Sequence, residues 1–238
     1  MKKIVRKLHR YLGLIFSISI LMSSGSGVIH VLMSRTQSAP PAAKPSGALL
    51  DTSAITVTPA DAFPDAPPAA INIRNIAGKP HYQAFIPGQR EFTYIDATNG
   101  RKNPDADATY AREIASTFLG TDEIEQTDFL TSFNSEYIGI FRILPVYRFD
   151  LADGKGTRVY VSTVTGSVTR HTDDEKQFEA SVFTNFHKLG FIPNKDARDW
   201  LLTILTGAAF LISILGIVLF FLTRPRKNKK PATGTTRP

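Results

Sequence analysis

The sequence predicts an α+β region of helix plus antiparallel sheet, held between two transmembrane α-helices. Three observations carry this. Two uncharged apolar runs lie near the ends, each beside a basic cluster. Between them, short apolar stretches alternate with Gly, Pro and Asn turns in a strand pattern. One segment within that pattern has helical spacing and caps.

The first apolar run extends from Tyr11 to Met33 and follows a basic segment over 1–10 with Lys2, Lys3, Arg6, Lys7 and Arg10. As a helix its 23 residues reach roughly 34 Å, enough to cross a hydrocarbon layer of about 30 Å. A cleaved leader is the competing reading, with Ser24-Gly25-Ser26 or Gln37-Ser38-Ala39 as cleavage sites. Two features favour a retained anchor: the chain turns apolar again at Val28-Ile29, and Pro40-Pro41 is a poor mature start. The second run, in segment 198–223, starts at Trp200 and ends at Thr223. A basic tail over 224–238 follows it.

Charge distribution says more than the net +7. All 21 acidic residues lie between Asp51 and Asp199. The rest of the chain's Lys and Arg, outside the two basic ends, number 17, so that part is net acidic at −4. This excludes nucleic-acid binding as the reason for the high pI. Basic ends beside apolar spans follow the positive-inside pattern, which places both termini in the cytoplasm of a bacterial inner membrane and the main domain outside. The chain has no cysteine. Disulfides, Cys-held iron–sulfur clusters and covalent C-x-x-C-H haem attachment are therefore excluded.

Residues 34–69 are rich in Pro, Ala and Ser and are expected as an extended linker. Strands are expected around Ile71–Ile76, His81–Ile86 and Glu91–Asp96. A helix capped by Asp105 or Asp107 runs through Phe118 and ends at Gly120. Strands are then expected over Phe129–Phe133, Ile138–Ile143, Val146–Leu151 and Arg158–Val164. Segment 173–197 reads as an amphipathic membrane-proximal helix ended by Pro193, with Phe178, Val182, Phe183, Phe186 and Leu189 on one face.

An internal repeat organises the middle. Lys79-Pro80-His81-Tyr82-Gln83 aligns with Leu144-Pro145-Val146-Tyr147-Arg148. Tyr94-Ile95-Asp96-Ala97-Thr98-Asn99-Gly100 aligns with Tyr160-Val161-Ser162-Thr163-Val164-Thr165-Gly166. Each copy is a hairpin.

The stretch from Pro145 to Leu151, with Arg158 to Val168, resembles the ending of a PepSY domain. Leu8-His9-Arg10-Tyr11-Leu12-Gly13-Leu14 and Phe186-His187-Lys188-Leu189-Gly190-Phe191 are similar to the segments that open spans in PepSY-associated transmembrane proteins. The resemblance implies two PepSY-like units, a degenerate one over 70–104 and a fuller one over 105–172. It departs from larger members, which have four or more spans. A homodimer would restore that number.

Five histidines are present: His9, His30, His81, His171 and His187. Neutral imidazole is the usual axial ligand of b-type haem between membrane helices. His30 near the outer end of the first span and His187 before the second could share one iron. Ser23-Ser24-Gly25-Ser26-Gly27 could make room for a porphyrin, or could serve close helix packing. His9 lies near the inner face, roughly 31 Å along the helix from His30, without a histidine opposite it on the second span. His81 and His171 read as ordinary polar residues of the sheet. Metalloprotease, P-loop, Rossmann and nucleophile-elbow motifs do not occur. Two functions follow from this reading. One is an accessory or binding component of envelope iron and siderophore utilisation, acting on a peptidase or a ferric siderophore. The other, implied by larger relatives, is a haem b subunit that reduces ferric siderophores.

Overall fold

The computed structural model describes residues 2–36, 49–89, 91–141 and 143–223. The basic tail and the start of the expected linker lie outside these. The chain divides into two compact units, one of Met1–Gln37 with Glu179–Pro238 and one of Ser38–Phe178.

The middle unit holds two antiparallel sheets. The first has β1 (Ala70–Ile76), β2 (Lys79–Phe85) and β3 (Thr93–Asp96) in the order β1-β2-β3. The second has β4 (Ile124–Leu130), β5 (Val146–Leu151), β6 (Arg158–Ser162) and β7 (Ser167–Thr172) in the order β4-β5-β6-β7. A two-residue turn joins β1 to β2, with Ala77 at φ 51° and Gly78 at φ 74°. That is the turn whose twist suits a hairpin, and Ala77 bears the left-handed strain there.

Helix α3 (Ala106–Leu119) buries Ala106, Tyr110, Ala111, Ile114 and Ala115. These form one helical stripe, and the four small or β-branched members let the helix lie close to the sheet. The stripe packs with Phe149, Val159, Val161 and Val168 from the second sheet and with Ile76 and Tyr94 from the first. Gly120, at φ 73°, ends the helix in the left-handed region. Asp105 is the N-cap but makes no side-chain cap bond. Asp107 is turned inward instead. It accepts hydrogen bonds from Tyr94 at 2.5 Å and from Tyr147 at 2.9 Å. Burial, then the Asp107 charge, pushes both phenols well above their ordinary range. They stay neutral and donate. Gln83 joins this group, donating to Tyr94 Oη at 2.6 Å and to Thr163 O at 3.0 Å. Arg74 donates to Gln83 Oε1 at 2.9 Å and to Val164 O at 3.1 Å.

The repeated segments adopt the same register. Tyr82 faces Ile95 and Gln83 faces Tyr94 across β2 and β3. Tyr147 faces Val161 and Arg148 faces Tyr160 across β5 and β6. These are the pairs that the sequence alignment equates.

Several stretches differ from expectation. Part of the expected linker is folded: Thr56 and Val57 donate to Ala97 O, both at 3.0 Å. Ile55, Val57 and Phe63 pack against Tyr82 and Ile95. A short helix α2 (Pro59–Ala62) begins there with Thr58 as N-cap, its hydroxyl accepting from Asp61 N. The apolar residues of this stretch outweigh its Pro and Ala content. The second difference is at 131–143. Among the described residues the strand expected over Ile138–Ile143 does not form, and Gly139–Phe141 is a single 3-10 turn. Asn134 Oδ1 accepts from the backbone N–H of Glu136 and Tyr137. This curls the chain so that Tyr137 is fully buried against Tyr160 and Phe141, with ring centroids at 4.8 and 5.0 Å. The aromatic run plugs the sheet rather than extending it. The expected strand at Phe129–Phe133 is displaced to Ile124–Leu130, where polar residues are tolerated because β4 pairs on one side only.

The other unit contains α1 (Lys2–Thr36) and α5 (Lys195–Thr223), both long and apolar enough to cross a membrane. Ser26 in α1 and Ile212 in α5 are their buried residues. The expected single amphipathic helix is interrupted. Helix α4 (Asp174–Val182) passes into one π-helical turn at Phe183–His187, and Leu189 takes φ 52°. Gly190 N then donates to Thr184 O at 2.9 Å. The helical run therefore ends before Lys188, ahead of Pro193.

Gly100 and Gly166 occupy equivalent repeat positions, at φ 74° and 66°. A Cβ at Gly100 meets only Val57 at 3.6 Å, whereas at Gly166 it would lie 2.6 Å from Tyr110 Oη. We expect Gly100→Ala to cost about 1–2 kcal/mol, the left-handed penalty alone. Gly166→Ala should cost clearly more, and paired thermal melts of the two variants measure the difference.

Candidate functional site

In the membrane unit the serines of α1 meet the π turn. His187 Nδ1 lies 3.3 Å from Ser23 Oγ, 3.4 Å from Ser26 Oγ and 3.3 Å from Ser23 O. Ser26 donates its own proton to Ser23 O at 2.9 Å. This leaves Ser23 Oγ as the hydroxyl able to donate to the imidazole. The His187 Nε2 atom has no hydrogen-bond partner among the described residues. The extra residue of a π turn shifts side chains around the helix, and such turns recur at functional positions.

His30 has a different setting. Its Nδ1 pairs with Glu179 Oε1, and its side chain is 48% exposed while that of Glu179 is 12% exposed. Phe183 touches both imidazoles, with centroids 5.0 Å from His30 and 4.6 Å from His187. Lys188 Nζ also lies 5.3 Å from the Phe183 ring.

A cavity of about 610 Å³ runs along this unit. Its walls are Ile15 to Ser24 of α1, Leu201 to Ala209 of α5, and Phe186 to Ile192 between them. His187 lines it and His30 does not. A haem held by two imidazoles needs both rings to face one porphyrin. Here a phenyl ring contacts both, and only one of the two histidines reaches the cavity. The described residues of one chain do not form a His30–His187 clamp.

His9 is set apart, on the part of α1 that meets α5. A Cβ at Gly216 would stand 3.2 Å from His9 Cε1, so the glycine makes room for the ring. The buried His9 Nδ1 has no partner among the described residues. Gly25, Gly27 and Gly207 have nothing within 4 Å of a Cβ position. Serines 23 and 26 thus serve His187, while the adjacent glycines abut nothing. Among the described residues no group of three or more His, Cys, Asp and Glu side chains is placed to hold a metal ion.

In the sheet unit the histidines are structural. His81 is buried, with Nδ1 at 3.1 Å from Lys79 O and Nε2 at 3.3 Å from Asn103 Nδ2. His171 packs on Phe118, and burial followed by the Lys176 charge pushes its pKa down. Glu136 accepts two bonds from Arg158, at 2.7 and 2.9 Å, and one from Tyr160 at 2.6 Å. Arg158 also reaches Asp174 at 2.7 Å. Burial pushes the Glu136 pKa up, but the Arg158 and Tyr160 bonds outweigh it and hold the carboxyl below its ordinary 4.5.

The family comparison agrees with this architecture. The model of the PepSY-associated TM region matches residues 6–238. The chain belongs to that family. No curated protein and no solved structure shows a significant match. This PepSY-associated chain is a membrane protein with mixed helix and antiparallel sheet.

Sequence reasoning named His30, His187 and His9, and missed Glu179 and Phe183 as their neighbours. Both lay inside a segment read only for its apolar stripe. Glu179 is legible as the lone carboxylate within that stripe's span, but nothing in the spacing announces the π turn.

Two outcomes follow. Gly216→Ala needs a shift of a few tenths of an ångström at His9, and Gly216→Leu cannot be accommodated. Detergent melts should show little change for the first and a clear loss for the second. Because the Glu136 pKa is depressed in the folded state, its contribution is present above pH 4.5 and is lost as pH falls through the folded value. The melting temperature of Glu136→Gln should therefore fall less steeply below pH 4.5 than that of the parent.

Proposed function

We propose that this PepSY-associated protein is an accessory or binding component of envelope iron and siderophore utilisation. The observation that carries the reading is the shared register of the β2–β3 and β5–β6 hairpins. It supports two PepSY-like units, 70–104 and 105–172, within one compact module. In that unit the charged groups Asp107, Glu136 and Arg158 are committed to internal bonds. Such a module suits the binding of a partner, a peptidase or a component that handles a ferric siderophore. In this reading the protein sits in the bacterial inner membrane, with both termini cytoplasmic, the module periplasmic and the first helix retained. A homodimer would supply four spans.

The second reading is a haem b electron-transfer subunit that reduces ferric siderophores. The hold on His187 Nδ1 favours it, because a ligating imidazole commonly has its other nitrogen fixed by a hydrogen bond. His187 would hold the haem, with His30 or His9 of a second chain as a further candidate to hold it. Bound haem would supply one-electron transfer, and Ser23 would set the orientation of the His187 ring.

Oxidised and dithionite-reduced absorption spectra of protein expressed with added haem distinguish the readings. We expect no Soret band, and capture of an envelope partner by the full chain in detergent. A Soret band with sharp reduced bands, lost in His187→Ala, would replace the accessory reading with the electron-transfer one.

A further inference from the structure

The His187 cavity fits a ligand with a long apolar body and one small polar head. Its walls are mostly aliphatic and aromatic: Ile15, Met22, Leu202 and Leu205 are typical. The wall hydroxyls of Ser19, Ser24 and Thr206 are spent on carbonyls of their own helices. Among the side-chain polar atoms of the described wall residues, His187 Nε2 is the one without a hydrogen-bond partner. The walls follow α1 from Ile15 to Ser24, about 14 Å of helix rise. A ligand reaching this depth arrives through the lipid phase.

The surroundings of Nδ1 narrow the head group. Nδ1 is equidistant, at 3.3 Å, from a hydroxyl that can donate, Ser23 Oγ, and a carbonyl that accepts, Ser23 O. The imidazole therefore has a partner for Nδ1 in either tautomer, Ser23 O being shared with the Ser26 hydroxyl. In one, Ser23 Oγ–H donates to Nδ1, and Nε2–H points out as a donor. In the other, Nδ1–H donates to Ser23 O, and Nε2 is an acceptor. Such a group binds a head that accepts in one form and donates in another. A quinone carbonyl accepts, and the hydroxyl of the corresponding quinol donates. A phospholipid's ester carbonyl accepts but has no donor form.

We propose that this cavity is a binding site for a membrane quinone and its quinol, with His187 Nε2 hydrogen-bonded to the head group. The inference stands apart from the iron-related role and asks nothing of haem.

The test uses the full chain in detergent and a ubiquinone analogue with one isoprene unit. Trp200 is the single tryptophan and precedes the wall residue Leu201, so quinone quenching of its fluorescence reports occupancy. Saturable quenching beyond that of free tryptophan in the same micelles is expected. His187→Ala, and Ala209→Phe that fills the cavity, should each weaken it at least about tenfold. Ser23→Ala removes only the donor to Nδ1. It should weaken the oxidised probe several-fold and leave competition by the anaerobic quinol unchanged. Far-UV circular dichroism establishes that each variant is folded. Non-saturable quenching, equal competition by a headless isoprenoid hydrocarbon, or an equal effect of Ser23→Ala on both redox forms would overturn the proposal. So would haem bound through His187, because Nε2 would be taken.

Discussion

The sheet unit depends on one carboxylate and one amide. Asp107 receives a tyrosine hydroxyl from each sheet, and Gln83 spans from Tyr94 to the β6–β7 turn. The two sheets, of three and four strands, are not hydrogen-bonded to each other as one sheet. Helix α3 supplies apolar cover, but apolar cover does not set orientation. The buried polar chain does, since each member has its partner only when both sheets stand in one alignment. A partly satisfied network of this kind would cost more than an apolar replacement. Asp107 had appeared in the sequence as a cap, and its role is instead that of a joint.

The membrane unit is organised differently. Its helices expose most of their side chains, as helices facing lipid do, and the specific contacts gather where the π turn meets α1. Phe183 is the common neighbour of two imidazoles, and Glu179 and the serines each hold one of them. The left-handed Leu189 and the Gly190–Thr184 bond then turn the chain toward α5. A Cβ at Gly190 would fall 2.5 Å from Thr184 Cγ2, so the turn is closed tightly enough to require glycine.

Much of this fold was legible because its signals are local. Both membrane helices followed from uncharged runs with flanking bases. Helix α3 and its end at Gly120 followed from apolar spacing and a glycine with access to positive φ. The hairpins followed from a repeat that equates Tyr82 with Tyr147 and Tyr94 with Tyr160. The failures are nonlocal. Apolar residues at 138–143 fit a strand by composition, yet Tyr137 gains more by stacking under the second sheet. Ile55, Val57 and Phe63 were hidden by neighbouring Pro and Ala, because their partner surface comes from strands tens of residues later. At the candidate site the histidines were visible as residue types. Which of them faces a cavity was not, because that depends on the π turn and on Phe183.

One edge of the second sheet has a bearing on life at a crowded membrane surface. Among the described residues strand β4 pairs only with β5. It carries Glu125 and Asp128 in exposed positions, and its register slips between Gln126 and Asp128. Charge and a bulge are two devices by which an open strand resists being extended by a stranger. Anchored chains meet one another far more often than dissolved ones, since diffusion in two dimensions keeps them at one height. An unprotected strand would invite sheet-to-sheet polymerisation, and the acidic, irregular β4 disfavours pairing through that edge.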